Sequence, residues 1–144
     1  MGVGPFAGWS ESAQRVLAHA REEARRLRHD YIGTEHLMLG LLRSDSPAVR
    51  QALVPFGLSI EVARGRIAEI TPPGTEPAAG DQTLTPRTKR ILEMARGEAS
   101  ADGAVEPEHL LLALLEEGGG IGAQVLHSVG ATCERVRRAL RQRG

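Results

Sequence analysis

The second half of this 144-residue chain repeats the first. When the segment from Ser10 is aligned with the segment from Thr85, apolar and small residues superpose at helix-face spacing. After a two-residue deletion in the second half, the tripeptide Glu-His-Leu at 35–37 falls on the same tripeptide at 108–110. A repeated unit of this kind buries its apolar face against the neighbouring copy. The duplication therefore constrains the fold more than any single element does.

Both halves carry the periodicity of amphipathic helices, and no alternating strand pattern competes with it. Apolar residues at 13, 16, 17, 20, 24 and 27 follow the spacing of one helix face. Side-chain caps mark helix starts at Ser10, Thr34, Ser46, Ser59, Thr85 and Thr132. The sequence predicts four helices in the first half, at 10–27, 35–43, 47–55 and 59–69. Four more are predicted at 85–100, 107–117, 120–129 and 132–142.

The second helix of each half, HLMLGLL and HLLLALL, is apolar on nearly all sides and is predicted to form the core. Gly40 in this helix would let a neighbouring helix approach closely. Segment 71–83 has three prolines and two glycines, which predicts a linker. A half of about 60 residues would be marginal alone. We therefore predict an all-α fold in which two pseudo-symmetric four-helix repeats, 9–70 and 84–143, pack as one compact domain.

Charge and composition exclude several classes of function. Eighteen basic residues balance 18 acidic ones, so we expect no nucleic-acid partner and no membrane partner. The single cysteine, Cys133, excludes an intramolecular disulfide and is compatible with a reducing compartment. The longest apolar run, from Leu37 to Leu42, is far shorter than the roughly 20 residues of a membrane span. Because the first residues also lack a secretory signal pattern, we expect a cytoplasmic protein.

No motif for catalysis or cofactor binding is present in the sequence. The chain has no G-x-x-x-x-G-K-[ST] loop, so it cannot by itself be an ATP-driven motor. The five histidines lack metal-site spacing, and His36 and His109 are predicted to be structural. No nucleophile, base and orienting group lie at a recognisable spacing. We expect no enzyme activity, cofactor or metal, and the competing classes are a small hydrolase and a helix-turn-helix regulator.

Three stretches of the chain carry a family resemblance. They are SESAQRVLAHAREEARRLRHDYIGTEHLMLGLLR, the restart LTPRTKRILEMA and the second EHLLLALLEEGG, together with the glycine at 57. Over residues 9–142 the chain resembles the N-terminal domain of Clp-type AAA+ unfoldases, most closely the ClpC branch. The resemblance implies a non-catalytic helical module of the Clp protein-degradation machinery. Its partners would be arginine-phosphorylated or unfolded protein substrates, Clp adaptor proteins or the Clp ATPase.

The same resemblance implies a binding site for phosphorylated arginine. Carried over by position, the site uses Gly33, Thr34 and Glu35 in the first repeat and Glu108 in the second. A helix N-terminus offers unpaired N–H groups and a positive dipole end to a phosphoryl group. An adjacent carboxylate can hold a guanidinium through two parallel hydrogen bonds. The alternative is that Thr-Glu is an ordinary helix cap with a favourable charge.

The second repeat departs from this pattern, because Glu106 and Pro107 replace Gly33 and Thr34. Proline supplies neither an N–H nor a hydroxyl, and Glu106 adds negative charge where a phosphoryl group would lie. We therefore predict that the second site is weak or lost.

Two interpretations of the biology stay open. The chain is either the N-terminal domain of a longer ClpC-like protein or a stand-alone protein. A stand-alone protein would act as a decoy or modulator that binds Clp partners or a natural-product ligand. The initial methionine and the altered second repeat favour this second interpretation.

Overall fold

The computed structural model describes residues 7–78, 80 and 82–143, and these form eight α-helices, one 3-10 turn and a two-stranded sheet. The first half contains α1 (Glu11–Arg26), β1 (Tyr31–Ile32), α2 (Thr34–Leu42), α3 (Pro47–Leu53), the 3-10 turn (Val54–Phe56) and α4 (Ile60–Ile70). The second contains β2 (Thr83–Leu84), α5 (Pro86–Glu98), α6 (Pro107–Glu117), α7 (Ile121–Ser128) and α8 (Cys133–Arg143). The predicted all-α class is confirmed, and every predicted helix is present with its ends displaced by at most two residues.

Side-chain caps begin several helices where the sequence predicts them. Ser10 Oγ accepts a hydrogen bond from the Ala13 N–H at 3.0 Å, and Ser46, Ser59 and Thr85 cap α3, α4 and α5 in the same way. The predicted cap at Thr34 is wrong, because Gly33 is the N-cap residue of α2 and Thr34 is the first residue of the helix. The Thr34 side chain caps a different helix, as described below.

The core lies around α2 and α6, as their all-round apolarity predicts. Leu37, Leu39, Leu110 and Leu111 have no exposed surface. The α2 helix also crosses α1 closely, because a Cβ atom at Gly40 would collide with the carbonyl oxygen of Val16. Among the described residues, the structure has no helix that combines the length and apolarity needed to cross a membrane.

The sequence did not predict the small parallel sheet. Tyr31 pairs with Thr83 and Ile32 with Leu84, and a single bridge joins Trp9 to Val105. Strands of two residues are too short to show an alternating pattern, and their pairing depends on packing between the halves. The Thr85 N–H donates to the Ile32 carbonyl at 3.1 Å, so the sheet brings the start of α5 next to the start of α2.

The first part of the predicted linker is docked against the end of α1. The Gly74 N–H donates to the Leu27 carbonyl at 2.9 Å, and the Arg28 guanidinium donates to the Thr75 carbonyl at 3.3 Å. Arg28 has a φ of 59°, a left-handed conformation that few non-glycine residues adopt. The chain therefore turns sharply after α1 and meets the linker at residues 27–29.

Candidate ligand-binding site

The first turns of α2, α5 and α7 converge on one pocket of about 290 Å³, here called the α2 pocket. Both halves line it: Tyr31, Gly33, Thr34 and Glu35 from the first, and Thr85, Arg87, Gly119, Gly120 and Ile121 from the second. Each helix N-terminus carries N–H groups without intrahelical partners and the positive end of a dipole. Three such termini make the pocket favourable for an anion.

Glu35 brings a carboxylate into the same pocket. Its side chain lies against Gly33, where a Cβ atom would collide with the carboxylate. Glu35 Oε2 accepts a hydrogen bond from the Tyr31 hydroxyl at 3.3 Å. Burial and the neighbouring Glu35 raise the pKa of Tyr31 to about 12, so the phenol keeps the proton that it donates. Tyr31 and Gly33 thus orient the carboxylate from two sides.

Glu35 differs from the other deeply buried glutamate, Glu23, in its charge partners. Both are almost fully buried, with 3% and 1% of their surface exposed. Glu23 pairs with Arg43 at 3.0 Å and with Arg64 at 2.7 Å. Burial raises the pKa of Glu23, but the two guanidinium groups outweigh it and the net shift is downward. In the described part of the chain no arginine or lysine pairs with Glu35. An incoming cation would supply the charge partner that Glu35 lacks.

Thr34 joins the two repeats at the floor of the pocket. Its Oγ1 accepts a hydrogen bond from the Gly122 N–H at 3.0 Å, which caps the first turn of α7. Gly120 and Gly122 give the threonine room, because a Cβ atom at either position would collide with it. A hydroxyl can accept and donate at the same time, so this contact leaves its proton available to a ligand.

Arg87 supplies a positive charge to the pocket. It is in the first turn of α5, its side chain is 47% exposed, and it pairs with Glu117 at 3.3 Å. Sequence reasoning missed Arg87 and Thr85 because they lie in the other repeat, more than 45 residues from Glu35. The available signal was the cap at Thr85, which marks a helix start equivalent to that at Ser10.

The structure places Glu108 in a separate pocket of about 380 Å³, here called the α6 pocket. It is the pseudo-symmetric counterpart of the α2 pocket and is lined by Ser12, Arg15, Asp45, Ser46, Pro47, Ala48, Glu106, Pro107 and Glu108. Its arginine, Arg15, pairs with Asp45 at 3.4 Å. Ser12 occupies the repeat position that Arg87 holds in the α2 pocket. Three carboxylates and one arginine make the α6 pocket unfavourable for a phosphoryl group.

The histidines at the starts of α2 and α6 have structural roles, as predicted. The Gly33 N–H donates to His36 Nδ1 at 2.9 Å, and the Glu106 N–H donates to His109 Nδ1 at 2.8 Å. Burial, with a smaller contribution from His29, lowers the pKa of His36 to about 3. His36 is therefore neutral at physiological pH and cannot serve as the cation for Glu35.

Two further features fall outside both pockets. Cys133 is half-buried and its thiol donates to Glu116 at 3.4 Å; burial and this contact raise the pKa of the thiol, which favours its unreactive form. Within the described ranges, no three histidine, cysteine or acidic side chains are grouped as metal ligands would be. An apolar groove of about 370 Å³ lies between the end of α2, α3 and the segment 57–59 before α4. Its apolar lining residues are Leu41, Leu42, Val49, Leu53, Val54 and Leu58.

Comparison with known proteins identifies relatives over most of the chain. The family model described as the Clp repeat (R) N-terminal domain matches residues 9–104 and 97–143. The protein named negative regulator of genetic competence ClpC/MecB, from Bacillus subtilis, is 39% identical over 141 residues. That alignment covers 95% of this chain but 17% of the relative, so the chain spans less than a fifth of the length of such curated proteins.

Solved structures show the same fold. The N-terminal domain of the chaperone ClpD from Arabidopsis thaliana superposes with a TM-score of 0.78 and 26% identity, covering 99% of this chain and 98% of that one. The N-domain of ClpV, solved in complex with a VipB peptide, superposes with a TM-score of 0.70 and 18% identity. It covers 95% of this chain and 89% of the ClpV chain, and at this identity the likeness concerns the fold alone.

Proposed function

The chain belongs to the family of Clp repeat N-terminal domains, and we propose that it is a recognition module that binds arginine-phosphorylated proteins at the α2 pocket. Domains of this family are non-catalytic modules that bind substrates and adaptors of Clp and Hsp100 ATPases. The proposal adds a ligand chemistry and assigns it to one of the two repeats. It also takes 9–70 and 84–143 as the repeat units, 71–83 as their linker and the cytoplasm as the site of action.

The observation that carries the proposal is the buried Glu35 carboxylate without a basic partner. A buried carboxylate is costly unless it is paired and hydrogen-bonded, and the Tyr31 hydroxyl at 3.3 Å supplies one neutral donor. A guanidinium supplies the missing charge and matches a carboxylate with two parallel N–H donors. The ligand group that best suits Glu35 is therefore the guanidinium part of an arginine side chain.

The other side of the α2 pocket suits a phosphoryl group. Arg87 can turn from Glu117 to the ligand because its own side chain is 47% exposed. Glu117 is 11% exposed and keeps the hydrogen bond that it accepts from the Gly119 N–H at 3.0 Å. The starts of α2, α5 and α7 add favourable dipoles, and the first turns of α2 and α7 also add N–H donors. Phosphoarginine carries both charges on one side chain. Unmodified arginine would satisfy only Glu35, and inorganic phosphate would satisfy only the Arg87 side, so both should bind more weakly.

The residues of the α6 pocket are the reason to propose only one functional site in each chain, the α2 pocket. Glu108 retains the carboxylate, but Pro107 provides no N–H and Ser12 takes the place of Arg87. Asp45 and Glu106 would repel a phosphoryl group. The proposed stoichiometry is one phosphoarginine per chain.

An alternative is a decoy or modulator that binds a Clp partner or a natural-product ligand without delivering substrates. The apolar groove at α3 supports this alternative, because Val54 beside it is 73% exposed. A partner or ligand docked there would not need Glu35. The peptide bound to the N-domain of ClpV is a reason to test this kind of partner as well.

Calorimetric titration of free phosphoarginine tests the proposal. The purified chain should bind one equivalent, and Glu35→Gln, which keeps the shape of the side chain, should lose binding by at least tenfold. The matched control is Glu108→Gln, which should bind as the unmodified chain does. Absence of saturable binding, or equal binding to two sites, would contradict the proposal. The alternative would be favoured if phosphoarginine did not bind and a Clp protein bound at the apolar groove instead.

A further inference from the structure

A chain of three hydrogen bonds connects the inter-repeat linker to the α2 pocket through two buried histidines. The Gly33 N–H donates to His36 Nδ1 at 2.9 Å, so neutral His36 carries its proton on Nε2. His36 Nε2 therefore donates to His29 Nδ1, at 2.9 Å. His29 in turn carries its proton on Nε2 and donates it to the carbonyl of Pro72 at 3.0 Å. Because the Gly33 N–H can only donate, it fixes the donor and the acceptor in all three hydrogen bonds.

His29 also supports the carboxylate side of the pocket. Its ring stacks on Tyr31, with centroids 5.0 Å apart and an interplanar angle of 12°. Tyr31 donates to Glu35, so one imidazole supports Gly33 through His36 and Glu35 through Tyr31. His29 is 6% exposed and lies behind the pocket rather than in it.

Contacts other than the one from His29 also hold the linker in place. The Gly74 N–H donates to the Leu27 carbonyl, and Arg28 donates to the Thr75 carbonyl. A Cβ atom at Gly74 would collide with the backbone of Arg28, so linker and turn are in close contact. Docking of residues 72–75 and placement of His29 are therefore parts of one arrangement.

We propose that His29 is a positioning residue of the α2 pocket, through which docking of the linker and occupation of the pocket stabilise each other. Such coupling is reciprocal. If docking of the linker strengthens ligand binding, ligand binding strengthens docking of the linker by the same free energy. The inference rests on the proposed function for the identity of the ligand. The hydrogen-bond chain itself is independent of it.

The second repeat has no such connection. His109 accepts from the Glu106 N–H as His36 does from Gly33, but the shortened loop before it contains no histidine. This difference provides a control inside the same chain.

Two substitutions of His29 test its contacts with His36 and with Pro72 separately. In His29→Asn, the amide oxygen takes the place of Nδ1 and still accepts from His36, but the side chain is too short to reach Pro72. In His29→Gln, the amide nitrogen takes the place of Nε2 and still donates to Pro72, but the acceptor for His36 is lost. The matched control is His109→Asn in the other repeat.

Amide hydrogen exchange of Gly74 and Gly33, followed by NMR with and without phosphoarginine, tests the coupling. In the unmodified chain and in His29→Gln, Gly74 should be protected without ligand, whereas His29→Asn should lose that protection. Ligand should slow Gly74 exchange in the unmodified chain and in His109→Asn, but in neither His29 variant. Equal slowing in all four proteins would overturn the proposal.

A second arm needs no ligand. In His29→Gln, His36 loses its acceptor, so exchange of the Gly33 amide should be faster than in the unmodified chain and in His109→Asn. If neither His29 variant changes the exchange of Gly33 or Gly74 without ligand, the inference fails. If the variants change it but phosphoarginine does not bind, the inference stands for the structure and the proposed function fails.

Discussion

The Oγ1 atom of Thr34 accepts a hydrogen bond from the Gly122 N–H at 3.0 Å, between residues 88 positions apart in the sequence. The first residue of α2 thus caps α7, whose own N-cap residue, Gly120, has no side chain to do so. This contact ties the start of one repeat's core helix to the other repeat. It also fixes the floor of the α2 pocket.

Loss of this cross-repeat cap should destabilise the whole domain. In Thr34→Val the shape is kept, but the buried Gly122 N–H loses its acceptor, which costs about 1–2 kcal/mol. Urea denaturation should show this decrease in the free energy of unfolding. Thr34→Ser keeps the oxygen and should lose less than half as much. Equal stability of Thr34→Val and the unmodified chain would contradict the assigned role.

Substitution of Gly33 should disturb the pocket without straining the backbone. Gly33 has a φ of −97° and a ψ of −178°, which alanine adopts freely. In Gly33→Ala the new methyl group would displace the Glu35 carboxylate, so phosphoarginine affinity should fall at least tenfold. Gly65→Ala is the control, because position 65 is an open surface of α4 where alanine should slightly stabilise the helix. Titration calorimetry of both variants decides the outcome.

Neutralising Glu23 should lower the free energy of unfolding, whereas neutralising Glu35 should not. Glu23→Gln leaves Arg43 and Arg64 without their shared carboxylate and should lower the free energy of unfolding by about 3 kcal/mol. Glu35→Gln removes a charge that has no basic partner and should leave stability unchanged or raise it. Glu22→Gln, next to Glu23 but exposed, should have no measurable effect on stability. A large loss of stability in Glu35→Gln would show that its charge is already compensated.

Stability should fall in mild acid because of His36. Its pKa is lowered to about 3 in the folded chain, against 6.5 for an ordinary histidine. Between these values the unfolded chain binds a proton that the folded chain does not, so the free energy of unfolding decreases as pH falls. Between pH 6.5 and 5 the loss should reach about 2 kcal/mol. Denaturation of His36→Asn, which keeps an acceptor for Gly33, should show a shallower pH dependence, and an unchanged slope would contradict this account.

Much of the fold could be predicted because its signals are local. Ser10, Ser46, Ser59 and Thr85 begin helices through contacts within their own first turns, and these are visible in the sequence. The burial of α2 follows from its apolarity, and the close crossing at Gly40 follows from the small residue there.

The parts of the site that could not be predicted from the sequence depend on packing between the repeats. Nothing near Thr34 in the sequence indicates Gly122 as its partner. Arg87 and Glu35 line the same pocket only because the halves are packed together. The histidine chain from Pro72 to Gly33 was equally hidden, because His29 and His36 look like separate residues until the linker folds back. By contrast, the prediction of a weak second site needs no knowledge of the packing, because Glu106 and Pro107 are visible in the sequence.

The proposed role of Glu35 is to bind the guanidinium group of a phosphorylated arginine. Titration of phosphoarginine into the unmodified chain and Glu35→Gln, with plain arginine as the competitor, measures this most directly. We expect one ligand per chain, at least tenfold weaker binding in Glu35→Gln, and weaker binding of plain arginine. Binding that is unchanged in Glu35→Gln, or two equal ligands per chain, would contradict it.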